Sequence, residues 1–251
     1  MDPYQSKTYP RESVNLVIAM TGSGPITLTT SDKDSVSVDV TPASPGDNCV
    51  VVQKLKGTTL ELAIHGATIK GILSRFGGGP FEPCSAGFAV SAPPHIAIKA
   101  SSGSGSIALG AFSGKADVKT GSGDISLNGP SGALSMRSGS GRMSGAAPAS
   151  KVDVNTGSGD VTLSGLTDDV TARSGSGAVE LSWAEAPRSG AIDVRTGSGS
   201  FRATLPAATR LKASLSSASG RVHNDFADDK TSALRLTFRS GSGSATVTKA
   251  P

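Results

Sequence analysis

At 251 residues, with 32 glycines, 4% aromatics and a formal charge of +4, the chain is no collagen, which needs glycine at every third position. It is no disordered tract either, because Leu, Ile and Val recur thinly but regularly along it. Runs of Lys and Arg never exceed two residues and only two Tyr and one Trp are present, which argues against nucleic acid as a partner.

From the N-terminus, Val14 to Met20 is too short and too weakly apolar for a signal-peptide core. No stretch reaches the roughly 18 apolar residues of a transmembrane segment. Residues 1–98 lack a strict period but keep strand chemistry. Ile26 to Thr30 follows a first Gly-Ser-Gly at Gly22, Val36 to Val40 follows a turn at Asp32-Lys33-Asp34, and Cys49 to Leu55 with Thr59 to Ile64 reads as a hairpin about Lys56-Gly57. Gly71 to Pro83 reads as a loop that a Cys49–Cys84 bridge would fasten. In an exported protein such an isolated pair is a disulfide; in the cytosol it is two buried thiols. With no CxxC spacing and three isolated histidines (His65, His95 and His223), neither a metal site nor a cofactor is expected.

Residues 99–251 carry the dominant signal. Gly-Ser-Gly begins at Gly103, Gly121, Gly139, Gly157 and Gly175, each 18 residues after the last, and recurs at Gly197 and Gly241 with a degraded Ala218-Ser219-Gly220 between them. Apolar and polar residues alternate on both sides of each triplet, as in half-buried strands. Segments this short, separated by glycine turns, form coils, and stacked coils align inward columns: Val118, Met136, Val154, Ala172 and Val194 on one side, Ile125, Met143, Val161, Val179 and Phe201 on the other, with Leu127, Leu163 and Leu181 beside them. The expected fold is an all-β, right-handed parallel β-solenoid (β-helix) with coils of about 18 residues, residues 1–98 being its irregular N-terminal part and cap. Gly-Ser-Gly reads as its corner, with glycine supplying positive φ and the preceding Thr or Ser bonding a turn N–H. No helix follows it, so it is no phosphate loop.

Three surface features invite a functional reading. A basic stripe, Lys119, Arg137, Arg173, Arg195 and, two coils later, Arg239, runs beside the corner. Asp117, Asp153 and Asp193 lie two residues before the corresponding stripe positions, so the face is either self-compensated or an anion-binding surface. Asp124 and Asp160 follow the turn, but one carboxylate in every second coil falls short of a calcium site. The opposite corner is variable: Ser182 to Gly190 lengthens its coil to 22 residues, and such insertions mark an adaptable edge. Glu180 and Glu185 with Arg188 form no evident catalytic constellation, so no enzyme is expected.

The repeated Thr/Ser-Gly-Ser-Gly-(Asp)-(Ile/Val)-x-Leu pattern, preceded by Ala89 to Ile98, resembles the bacterial "putative adhesin" family with β-strand repeats and is similar to the head domain of the GIN putative adhesins, over about residues 88–249. That resemblance implies an exported cell-envelope β-solenoid and carries no catalytic residues with it. The expected function is a non-enzymatic surface or envelope module that binds or scaffolds, with surface polysaccharide or another envelope protein as partner. Its signal peptide would lie outside this sequence. A self-assembling structural protein of the bactofilin kind is the first alternative, and a glycan-active β-helix enzyme the second.

Overall fold

The computed structural model describes residues 5–42, 44, 47–66 and 84–250; the loop expected over Gly71 to Pro83 lies outside them. Nine strands come first: β1 (Lys7–Pro10), β2 (Leu16–Thr21), β3 (Ile26–Thr30), β4 (Ser35–Thr41), β5 (Cys49–Lys56), β6 (Thr59–Gly66), β7 (Gly87–Ala92), β8 (Ala97–Ser102) and β9 (Ile107–Leu109). The strict repeat then adds strand pairs, one pair per coil: β10 (Ala116–Thr120) and β11 (Ile125–Asn128), β12 (Leu134–Ser138) and β13 (Met143–Ala146), β14 (Lys151–Thr156) and β15 (Val161–Leu166), β16 (Asp169–Ser174) and β17 (Val179–Trp183), β18 (Gly190–Thr196) and β19 (Phe201–Leu205). Two more pairs finish the chain, β20 (Lys212–Ser217) with β21 (Val222–Asn224) and β22 (Leu234–Ser240) with β23 (Ala245–Lys249).

Each coil contributes one strand to each of two sheets, which face one another across a narrow core. The eleven-stranded sheet runs β20-β22-β18-β16-β14-β12-β10-β8-β2-β6-β5, and the twelve-stranded sheet runs β1-β4-β7-β3-β9-β11-β13-β15-β17-β19-β23-β21. Pairing is parallel and in register from coil to coil, so residues 18 apart stack, as in Val118↔Met136 and Ile125↔Met143. All the inward positions named from the sequence are buried. Phe201 and Phe238 stack across the core with ring centroids 5.4 Å apart. A coil alone has no partner for its apolar residues. Each buried Val, Leu or Ile contributes about 1.5–3 kcal/mol only once a neighbour covers it.

Two features depart from chain order. At the N-terminal end, the coil β2–β3 lies between β6–β7 and β8–β9, and β4 and β5 close the stack by pairing antiparallel with β7 and β6. At the C-terminal end, β22–β23 inserts between β18–β19 and β20–β21. The degraded triplet Ala218-Ser219-Gly220 therefore does not lie between its neighbours in sequence. It ends the stack, where no further coil rests on its outer side.

The corner itself has a different physical origin from the one expected. None of the Gly-Ser-Gly glycines has a positive φ; among the described residues positive φ falls at Gly57, Gly129, Gly145, Gly165 and Gly190. The triplets instead pack backbone on backbone. The N–H of the central Ser donates to the carbonyl of the first Gly one coil below, as in Ser122 to Gly103 (3.1 Å), Ser140 to Gly121 (3.1 Å) and Ser158 to Gly139 (3.0 Å). A methyl on Gly121 would stand 2.5 Å from the Gly103 oxygen, and one on Gly123 would overlap the Gly105 carbonyl outright. Glycine is required here by close approach, not by dihedral angle. The preceding hydroxyl does serve the turn: the Gly123 N–H donates to Thr120 Oγ1 (3.0 Å) and the Gly159 N–H to Thr156 Oγ1 (3.0 Å), while Ser174 and Thr196 donate to the carbonyls of Gly177 and Gly199.

Candidate functional site

Strand alternation turns every second residue of the eleven-stranded sheet to solvent, and the parallel register converts sequence repeats into rows. Lys119↔Arg137↔Asn155↔Arg173↔Arg195 form one such row. Because β22 pairs directly with β18, Arg239 lies against Arg195 rather than two coils away, so Arg173, Arg195 and Arg239 are consecutive. Neighbouring strands are about 4.8 Å apart, close enough for three like charges to repel. Two cations of the row are countered by the carboxylate two residues earlier: Lys119 Nζ lies 3.3 Å from Asp117, and Arg195 forks onto Asp193 through Nε (3.2 Å) and Nη2 (3.1 Å). Among the described residues Arg137, Arg173 and Arg239 have no ion pair; the position two residues before each is Ser135, Thr171 or Thr237. Arg235 and Lys212, exposed and paired in register, extend the basic area toward the end of the stack. The sequence alone did not mark these two, because their adjacency follows from the reversed order of the last coils.

Asp124 and Asp160 have another use than metal binding. Each accepts a backbone N–H from the next coil, Arg142 at 2.8 Å and Ala178 at 2.9 Å, and so bridges the turns. Among the described residues no group of three His, Cys, Asp or Glu is placed to hold a metal ion. The structure divides the other acidic residues: Glu180 lies on the outer face of the twelve-stranded sheet, 3.8 Å from Arg202, whereas Glu185 and Arg188 line a cleft at the variable corner with Thr209 and Arg210. Cys49 and Cys84 are disulfide-bonded, tying the closing strand β5 to the segment that enters β7. Beside the bridge, Asp47 accepts hydrogen bonds from the Ser85 hydroxyl (2.6 Å) and N–H (2.7 Å), which hold its carboxyl below the usual range.

Exposed aromatic platforms are missing among the described residues: Trp183, Phe88, Phe112, Phe201, Phe226 and Phe238 are buried, and Tyr9 is half-buried, its hydroxyl pKa raised by that burial. The outer faces therefore offer charge and hydroxyls rather than stacking surfaces.

Two sheets, short in-register coils and glycine-packed corners define a parallel β-solenoid. The chain belongs to the Toastrack DUF4097 family, whose model matches residues 14–249; the family resemblance drawn from the sequence stands. No curated protein matches it. Among solved structures it is similar to a putative adhesin from Bacteroides fragilis (14% identity, 98% of this chain and 96% of that one, TM-score 0.47). It is also similar to a putative lipid binding protein from Parabacteroides distasonis (16%, 98% and 96%, TM-score 0.43) and a putative cell adhesion protein from Clostridium sporogenes (12%, 98% and 99%, TM-score 0.29).

Proposed function

We propose that the chain is a non-enzymatic binding module of the cell envelope or surface, which holds an acidic polymer along the outer face of its eleven-stranded sheet. The observation that carries this reading is the run Arg173, Arg195 and Arg239, held side by side with a carboxylate beside only one of them. A row of like charges costs stability in the free protein and is relieved when an anionic chain lies along it. With stacking platforms missing from the described surface, attraction rests on charge and falls as salt screens it.

The test is retention on immobilised polygalacturonate, with dextran as the neutral control, at rising ionic strength. The expected outcome is salt-sensitive retention on polygalacturonate alone, lost in the triple variant R137S/R173S/R239S. Equal, salt-insensitive retention of both proteins sinks the idea.

A second reading, end-to-end self-assembly, is favoured by one observation. The N-terminal end is closed by antiparallel strands, whereas β20 leaves a parallel edge open at the other end, with Ala213 and Leu215 only partly covered. Concentration-dependent growth in light scattering supports that reading, and a constant monomer mass excludes it.

A further inference from the structure

We propose that the cleft at the variable corner, between the segments 185–188 and 208–210, is a separate binding site for a single carboxylate carried on a hydroxylated ligand, that is, a sugar acid. The cleft has a volume of about 490 Å³ and is lined by Glu185, Pro187, Arg188, Thr209 and Arg210. It exists because two coils carry insertions at the same corner; the strictly 18-residue coils have none there.

Its polar groups are unequal. Arg210 is fixed in place: its Nε donates to Asp229 (2.7 Å) and its Nη2 to the Thr231 hydroxyl (3.3 Å). Asp229 is further held by the Thr231 hydroxyl and N–H, which with Arg210 bring its pKa down to about 2, so this ion pair persists at any ordinary pH. Arg188 is exposed and, among the described residues, has no carboxylate partner. Thr209, 6% exposed, carries a buried hydroxyl with no hydrogen-bond partner among the described residues. Orphan buried donors are rare in native proteins because each costs its full desolvation.

One free guanidinium fork in a cleft that Thr209 also lines suits one carboxylate, which Arg188 would grip bidentately. Glu185 in the same cleft would accept hydrogen bonds from ligand hydroxyls and repel a second negative charge, favouring a singly charged sugar acid over a phosphate dianion. The site stands whether or not the arginine row holds a polymer, since Arg173, Arg195 and Arg239 do not line the cleft.

The experiment is titration of the whole chain with D-galacturonate, galactose and methyl phosphate, followed by calorimetry and by the amide signals of residues 184–189 and 207–211. Saturable binding of galacturonate alone, with shifts confined to those residues, is expected. Affinity should fall about tenfold or more in Arg188→Ala, which removes a charged donor from an exposed position, and more modestly in the near-isosteric Thr209→Val. The row variant R137S/R173S/R239S should bind galacturonate as the parent does. The proposal is overturned if galacturonate does not bind, if it binds both cleft variants as tightly as the parent, if only the row variant loses it, or if methyl phosphate binds more tightly.

Discussion

Gly121 and Gly22 occupy the same position of the same triplet, yet they differ in what a side chain would meet: the Gly103 carbonyl oxygen at 2.5 Å for Gly121, and, among the described residues, nothing within 4 Å for Gly22. Gly121→Ala is therefore expected to destabilise by at least the ~1–3 kcal/mol of an overpacked core. Gly22→Ala should stay within about 0.5 kcal/mol, like an ordinary surface change. Urea unfolding of the two variants measures the difference, and equal costs would mean that dihedral angle, not stacking, selects glycine. The hydroxyl row divides in the same way. Thr120 Oγ1 receives the Gly123 N–H, so Thr120→Val leaves a buried donor unpaired and should cost about 1–3 kcal/mol. Ser138 Oγ has no partner among the described residues, so Ser138→Ala should be neutral or stabilising in the same assay. Asp229 has its pKa depressed in the folded chain, so the order it confers is complete above its ordinary pKa of 3.8 and is lost as pH falls toward 2. Amide signals of Arg210 and Thr231 should shift over that window, and in Asp229→Asn they should not.

At the level of strands and bridges, the Cys49–Cys84 bond closes a span of 35 residues. Its removal by Cys49→Ala/Cys84→Ala should lower stability by ~2–4 kcal/mol, read as a fall in Tm under otherwise identical conditions. Strand content, inward columns and hairpin β5–β6 were legible in the sequence because alternation and an 18-residue spacing leave few ways to bury Val118, Met136 and Val154 together. Two things were not. The reason for the corner glycines depends on the coil beneath, which no single repeat contains. The order of the last coils is hidden because β18, β20 and β22 present the same alternating pattern, and any of them fits against another. Arg239 was thereby displaced by one coil, and the three adjacent arginines went unseen. The cleft was legible only as an edge with insertions, since Thr209 and Arg210 come to line one cleft with Arg188 through tertiary packing rather than spacing.

Across the whole molecule, the stack behaves as a one-dimensional array in which each coil touches only its neighbours. Deleting residues 234–250 should therefore remove more than one coil. Without β22–β23, the segment Lys212–Asn224 loses every strand it pairs with, and hydrogen exchange should show both β20 and β21 released while β10 to β15 keep their protection. Continued protection of Lys212–Asn224 would show instead that it can dock on β18–β19.

The interchange of the last two coils also changes how the array comes apart. A zipper opens from its ends, and normally its last tooth is also the loose end of the thread. Here the last tooth, β20–β21, is a stitch held on both sides, by the link from β19 and the link into β22, while β22–β23, which follows it in the chain, is sewn one row further in. Opening the outer row can gain only the freedom of a tethered loop, far less than that of a free tail. Freeing β22–β23 requires parting it from the rows on both of its sides.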